Sequence, residues 1–267
     1  MIWETLIEAA KNKAGEYIID FAAKKKNWEL ITKFFTKKDK KRKIIISGSS
    51  GVGKSQFVQS LQPQLPQIAI QKRTMGTIEK EANVQGQGII FLDTAGQSNL
   101  KIQIDEFQKT TTDDDYVGII NIVSYGYHYT STLDIEKDIF EEDKVKNSFL
   151  EANKERELED IRRWLPFLEY SKVKWIITLV NKADIWWKEK VDVHQYYESG
   201  EYGQTFENHF QKNYFKKEHL ILPYTAIIEP FYNRPNAGLL GDTAKNNLQT
   251  YFTSELTRLI EQEKKNK

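Results

Sequence analysis

Residues 48–55 read GSSGVGKS, and this stretch decides the fold of the chain. It follows the apolar run KIIIS at 43–47 and precedes QFVQSLQ at 56–62, the order of a strand, a turn and a helix. A glycine, four residues, a second glycine, a lysine and a serine form the pattern of a phosphate-binding loop. Its glycines let successive backbone N–H groups turn inward around an anion, which the dipole of the next helix also favours. The sequence therefore predicts a phosphate site here.

Two side chains of this loop carry chemistry beyond the backbone. Lys54 is expected to reach the β- and γ-phosphates of a nucleotide, and Ser55 is expected to place its hydroxyl on Mg²⁺. The alternative is a glycine-rich turn that fits the pattern by chance, but the predicted strand and helix on either side argue against it. The residues expected to surround the nucleotide are Gly48, Ser50, Gly51, Val52, Gly53, Lys54, Ser55 and Gln56.

Short β-branched runs alternate with helical stretches along the rest of the chain, as in a parallel α/β sheet. The segment at 77–88 is typical of an edge strand with a glycine turn, and the last helix is predicted at 243–262. The predicted strands are KIIIS at 43–47, GIIFLD at 88–93, YVGIINIVS at 116–124, KWIITLV at 174–180 and HLILP at 219–223.

A second motif, DTAGQ at 93–97, closes the run GIIFL. Asp93, at the end of a predicted strand, can hold Mg²⁺ through water. Gly96 can offer its backbone N–H to a γ-phosphate, because no side chain blocks the approach. This pair predicts a triphosphate site with a metal ion.

A third motif, NKAD at 181–184, follows the run KWIITLV. The two oxygens of Asp184 match the N1–H and N2–H₂ donors of guanine, a pair that adenine lacks. Lys182 can lay its stem along the base. NKAD alone is more often an ordinary turn. It indicates a guanine site here because it follows the other two motifs in order.

In this order, GSSGVGKS, DTAGQ and NKAD resemble the motifs of the Ras-like GTPases and their relatives in the TRAFAC class of P-loop GTPases. The resemblance implies an α/β fold: a three-layer P-loop G domain with a mostly parallel sheet of about six strands. It implies GTP or GDP and Mg²⁺ as ligands. It also implies that Asn181, Lys182 and Asp184 lie on the guanine base.

The resemblance extends to two weaker motifs. GTIEKE at 76–81 is similar to the first switch of the family, with Thr77 closing onto Mg²⁺ and the γ-phosphate and Thr74 as a rival. YTAI at 224–227 is similar to the last guanine motif, in which the Ala226 N–H would face guanine O6 beside Thr225. The implied metal ligands are Ser55, Thr77 and Asp93.

The resemblance assigns hydrolysis to Gln97, whose amide can hold the attacking water in line with the γ-phosphate. Lys54 and Thr77 complete the expected catalytic set. An arginine that neutralises the developing charge comes from a partner or from Arg73, four residues before Thr77. Heterotrimeric G-protein α-subunits place their own arginine in a similar region, whereas an exposed switch arginine is more often solvated or faces a partner.

The expected G domain spans 43–267, with a helical insertion at about 127–165 and a second at about 185–218. Residues 1–42 form a predicted amphipathic helical extension that ends in a basic connector. Residues 24–43 hold ten basic and two acidic residues, a net charge of +8. This segment up to Lys43 favours contact with a membrane surface, with a partner's helix or with its own G domain.

Three segments of the enlarged regions leave alternatives open. YGYHYTS at 125–131 packs inserted helices through its aromatic rings, responds to the second switch or brings His128 to the nucleotide. The acidic stretch 133–165 is expected to form one or two solvated helices with a docked apolar face. IWWKEK at 185–190 either covers the base or packs a helix.

The composition excludes several classes of function. The chain has no cysteine, which excludes disulfides and thiol catalysis. A net charge of +1 and the lack of a basic groove with stacking aromatics argue against nucleic acid. The four histidines show no ligand spacing, so Mg²⁺ is the only metal expected. The N-terminal residues lack the design of a secretory signal, so a cytoplasmic protein is expected, with a peripheral membrane position as the alternative.

The sequence thus predicts a Mg²⁺-dependent GTP-binding protein that hydrolyses GTP slowly and acts as a molecular switch. Protein regulators or effectors are expected at the switches, 73–80 and 93–105. The alternative is an assembly protein in which GTP stabilises a dimer or a membrane-bound form. The oligomeric state is left open.

Overall fold

The computed structural model describes residues 43–61, 82–84, 87–89, 116–169, 171–212, 217–234 and 240–265. The predicted N-terminal extension, 1–42, lies outside these residues. The strands are β1 (Lys43–Ser47), β2 (Ala82–Val84), β3 (Gln87–Ile89), β4 (Tyr116–Val123), β5 (Phe140–Glu141), β6 (Lys144–Val145), β7 (Trp175–Val180) and β8 (Glu218–Pro223). The helices are α1 (Lys54–Ser60), α2 (Asn147–Trp164), α3 (Ala183–Trp186), α4 (Lys190–Glu198), α5 (Glu201–Lys212) and α6 (Asp242–Lys265).

The described part of the chain is built on a four-stranded parallel sheet in the order β1-β4-β7-β8. In its register, Ile45 pairs with Ile119, and Ile119 pairs with Ile176. Ala82 pairs with Ile89 in a separate antiparallel hairpin of β2 and β3, as the predicted edge strand and turn require. The rest of the predicted strand 88–93 lies outside the described residues.

Both faces of this sheet are buried, which explains why its strands read as continuous apolar runs. Successive side chains of a strand point to opposite faces, so Ile45 enters one core while Ile44 and Ile46 enter the other. Helices α2, α4 and α5 cover the first face, contributing Leu158, Ile161, Tyr197, Tyr202 and Phe206. Helices α1 and α6 cover the second, contributing Phe57, Phe252, Leu256 and Leu259. This arrangement confirms the predicted three-layer α/β fold.

The predicted insertion at 127–165 holds more than helices. A π-helical turn at Ile135–Ile139 and the short β5–β6 hairpin precede α2. The Arg234 guanidinium pins this hairpin, donating to the carbonyl of Glu142 at 2.7 Å and to Asp143 at 3.0 Å. The predicted insertion at 185–218 contains α4 and α5, which pack on the sheet.

No helix within the described ranges is long and apolar enough to cross a membrane.

The parallel strands fix where the loops meet. Chain segments that leave the carboxyl ends of β1, β4, β7 and β8 emerge at the same edge of the sheet, where ligands bind in open α/β folds. These segments carry the motifs GSSGVGKS, YGYHYTS, NKAD and YTAI. The fold therefore brings four separate stretches of sequence to one place.

Candidate functional site

The loop between β1 and α1 closes around positions that admit only glycine. Gly51 has φ of 85°, and a Cβ atom there would lie 2.2 Å from the Tyr129 carbonyl oxygen. Gly53 has φ of 95°, and its Cβ atom would lie 2.5 Å from the Asn181 amide nitrogen. Both the left-handed backbone and the close neighbours exclude a side chain. Gly53, the glycine that precedes Lys54, is thus fixed by its contact with Asn181 of NKAD.

Lys54 turns back onto its own loop. Its ammonium donates to the carbonyls of Gly48 at 2.6 Å and Ser49 at 2.9 Å. The Ser49 hydroxyl in turn donates to Asp160 of α2. The Ser55 side chain is exposed in the first turn of α1. At the end of the loop, the Lys54 ammonium is thus turned onto the loop while the next residue, Ser55, is exposed.

Two NKAD side chains tie this loop to the end of β7. The Asn181 amide donates to the Val52 carbonyl at 2.8 Å, and its oxygen accepts from the Ala226 N–H at 3.3 Å. The Lys182 ammonium donates to the Gly51 carbonyl at 2.7 Å and to the Tyr127 carbonyl at 2.5 Å. Three loops, after β1, β4 and β7, therefore meet at one ammonium group.

The positively charged side chain of Lys182 is buried and largely shielded from water. Its nitrogen lies 4.2 Å from the centre of the Tyr129 ring. Burial lowers the pKa of Lys182 to about 7, while the acidic side chains of Glu229, Asp184 and Glu157 oppose that shift. The two carbonyl acceptors and the face of the Tyr129 ring stabilise the ammonium charge in place of water.

Asp184 is buried at the start of α3, where the loop after β8 fixes its carboxylate. The Thr225 hydroxyl lies 2.6 Å from Asp184 Oδ1 and 2.9 Å from the Ile227 carbonyl, and can donate its one hydrogen to either. The Glu229 N–H donates to Oδ2 at 3.4 Å. Burial raises the pKa of Asp184, and the Thr225 hydrogen bond opposes the rise.

These groups surround an open depression at the edge of the sheet. A hydrogen bond of 2.8 Å from the Gln56 amide to the Glu229 carboxylate joins two of its walls. The residues that line it include Gln56, Asn181, Lys182, Asp184, Ala226 and Glu229. A carboxylate, a backbone N–H and a lysine stem in one depression suit a flat, polar heterocycle beside the phosphate loop.

Comparison with known families decides the class of protein. The sequence model of the family described as 50S ribosome-binding GTPase matches residues 43–182, slightly more than half of the chain. The chain belongs to this GTPase family. It is a P-loop GTPase of the Ras-like class that binds guanine nucleotides, as the motifs predicted.

A solved structure that matches this GTPase is the "ADP ribosylation factor-like GTP binding protein / small COPII coat GTPase SAR1" of Encephalitozoon cuniculi in complex with GDP. The two chains are 16% identical, and the match covers 92% of this chain and 90% of that one at a TM-score of 0.41. No match was found among curated proteins.

The structure brings together every predicted residue of the phosphate loop, NKAD and YTAI. Five other predicted site residues of the GTPase lie outside the described residues: Arg73, Thr77, Asp93, Gly96 and Gln97. Of the expected metal ligands, only Ser55 is described.

Two of the side chains in question are now placed. Trp186 is fully buried and donates its indole N–H to the Asn181 carbonyl at 2.6 Å, so it packs in the core, whereas Ile185 lines the depression. His128 is also buried, with its ring on Glu157 of α2 at 2.8 Å. Sequence reasoning missed Glu229 in the depression. Its place in the loop after β8, three residues beyond Ala226, was the available signal.

Proposed function

We propose that this GTPase is a Mg²⁺-dependent switch that binds GTP, hydrolyses it slowly and changes its binding surface with the nucleotide. One observation supports this most strongly: the Asn181 and Lys182 side chains hydrogen-bond to the phosphate loop at Val52 and Gly51. The phosphate loop and the guanine motif are thus joined directly, which places them where one nucleotide can occupy both.

The base is proposed to lie in the depression between Asp184 and Ala226. The Asp184 oxygens accept from guanine N1–H and N2–H₂, and the Ala226 N–H donates to O6. The stem of Lys182 lies along the ring, and Asn181 keeps the loops in register. The Thr225 hydroxyl, 2.6 Å from Asp184, orients the carboxylate.

The phosphates are proposed to lie in the loop 48–55. Lys54 exchanges its carbonyl partners for the β- and γ-phosphate oxygens. The exposed Ser55 hydroxyl is an oxygen ligand of the kind Mg²⁺ takes, and Thr77 and Asp93 are proposed to complete its protein ligands. When bound, Mg²⁺ neutralises charge between the β- and γ-phosphates.

The switch itself is assigned to residues 73–80 and 93–105. The γ-phosphate would order Thr77 and Gly96, and hydrolysis would release both loops to change the surface that regulators or effectors meet. Residues 1–43 are proposed as a contact for a membrane surface or a partner helix.

The first experiment identifies the nucleotide. One sample of the purified protein is denatured, and the nucleotide that it releases is identified by chromatography. A second, native sample is loaded with fluorescent GDP, and its displacement by GTP or by ATP is measured. We expect GDP or GTP in the extract and displacement by GTP alone, because adenine lacks the donor pair that Asp184 accepts. Equal displacement by ATP would contradict the assignment of the base site.

Hydrolysis is tested separately in single turnovers of bound GTP. Gln97→Leu should slow the step at least about tenfold with binding retained, because an apolar side chain cannot hold the attacking water. Arg73→Ala should slow it as well only if this arginine acts from within the chain. An unchanged rate in the Gln97 variant would assign the water to another group.

A further inference from the structure

A carboxylate lies fully buried on the face of α2 that packs against the sheet edge. The side chain of Glu157 accepts from the Ser124 N–H at 2.8 Å, the Gly126 N–H at 3.4 Å and the His128 ring at 2.8 Å. Its second oxygen accepts from the Tyr197 hydroxyl of α4 at 2.6 Å. Burial lowers the pKa of His128, and the hydrogen bond to Glu157 opposes that shift.

The donors on Glu157 belong largely to one segment, residues 124–129, which we call the β4 loop. Tyr197 holds this loop a second time, because its hydroxyl also accepts from the Tyr125 N–H at 2.8 Å. At Gly126 the loop lies so close to α2 that a Cβ atom would be 2.4 Å from the Leu150 carbonyl oxygen. Helices α2 and α4 thus fix the backbone of the β4 loop.

The other side of the β4 loop faces the phosphate loop and the guanine motif. The Tyr129 N–H donates to the Gly51 carbonyl at 3.1 Å, and the Tyr127 carbonyl accepts from Lys182 at 2.5 Å. Lys182 is buried and has few alternatives for its ammonium hydrogens. The position of the Tyr127 carbonyl therefore determines where this lysine, and with it Gly51, is held.

We infer that Glu157 and Tyr197 are positioning residues for the nucleotide site, acting through the β4 loop on Lys182 and Gly51. The inference rests on the proposed function. Neither side chain touches the nucleotide in this scheme. Their hydrogen bonds fix the loop that holds the guanine-site lysine, so their loss should appear as faster nucleotide release.

Adjacent tyrosines of α4 provide a matched test. Tyr197→Phe removes only the hydroxyl that joins Glu157 to the Tyr125 N–H. Tyr196→Phe makes the same chemical change one residue earlier, at a hydroxyl with no hydrogen-bond partner among the described residues. With fluorescent GDP and Mg²⁺ on the full chain, Tyr197→Phe should accelerate dissociation at least about threefold and Tyr196→Phe by less than about 1.5-fold.

Glu157 itself is tested with two replacements and a control. Glu157→Leu should accelerate GDP release at least about tenfold, and Glu157→Gln should lie between it and wild type, because the amide oxygen still accepts from the loop. Thr178→Val removes another buried hydroxyl, which hydrogen-bonds to His219 at 2.9 Å, and should leave the rate within about twofold of wild type. Thermal unfolding midpoints are measured for every variant.

The possible outcomes distinguish failure of the proposed function from failure of the inference about Glu157 and Tyr197. If wild-type protein does not retain GDP in preference to ADP, the proposed function is wrong and the inference falls with it. If wild type retains GDP but Tyr197→Phe and Tyr196→Phe release it equally fast, the inference alone is wrong. The same holds if the Tyr197 or Glu157 variants lose thermal stability without faster release. Should Glu157→Leu fail to fold, the tyrosine pair decides.

Discussion

Asp184→Asn is expected to lower the affinity for GTP about 100-fold, equivalent to about 3 kcal/mol, and to raise the affinity for xanthosine triphosphate. The carboxylate offers two acceptors to the guanine N1–H and N2–H₂ donors, whereas an amide offers one acceptor and one NH₂ donor. The amide donor opposes the guanine amine. It suits xanthine, which has a carbonyl oxygen at the same place.

The variant should fold, because the Thr225 hydroxyl already has a second acceptor. It can give its hydrogen to the Ile227 carbonyl at 2.9 Å and accept from the new amide. Fluorescence titration with both nucleotides, at constant Mg²⁺, measures the change. Loss of affinity for both nucleotides alike would indicate a collapsed site rather than altered recognition.

The pH dependence of GTP affinity gives an independent test of the role of Asp184. Burial raises the pKa of Asp184, and protonation removes an acceptor that guanine requires. Wild-type affinity for GTP should therefore fall as the pH is lowered through that raised pKa. The affinity of the asparagine variant for xanthosine triphosphate should lack this component, since its side chain does not titrate in that range.

Lys54→Met should lower the affinity for GTP and GDP about 100-fold while leaving GMP binding nearly unchanged. Methionine keeps most of the stem but removes the ammonium, and with it the charge-assisted hydrogen bonds proposed to the β- and γ-phosphates. GMP carries only the α-phosphate and serves as the internal control.

The hydrogen bonds of Lys54 to its own loop make that control necessary. Lys54 donates to the carbonyls of Gly48 and Ser49, so its removal also deprives the loop of two hydrogen bonds. Calorimetric titration of the three nucleotides with Mg²⁺ separates the effects. An equal loss for GMP, GDP and GTP would mean that the loop is distorted, and would count against the assigned role of the charge.

The sequence could predict the sheet and the phosphate loop because both depend on local patterns. Apolar runs such as those of β1, β4 and β7 are continuous, since both faces of a parallel sheet are buried. The spacing of GSSGVGKS depends on the backbone of eight consecutive residues. The strand and loop positions were therefore readable without knowledge of distant contacts.

The contacts between distant segments could not be predicted in the same way. Asn181 donates to a carbonyl 129 residues away, and nothing in either stretch specifies that geometry. Glu157 lies in an acidic stretch that reads as a solvated helix, yet this one carboxylate turns inward. Charge counts along a chain do not reveal which member of a charged run meets buried donors.

The four residues between the two glycines of the phosphate loop are open to any amino acid in the general pattern, but not in this protein. Ser49 is buried against Asp160, Gly51 admits no Cβ atom beside Tyr129, and Val52 has no exposed surface. Only Ser50 has an exposed side chain. Variation in this loop, whether natural or engineered, is thus confined to one position unless α2 or the loop after β4 changes with it. The segments that pack against the loop therefore restrict its amino acids more strongly than phosphate binding does.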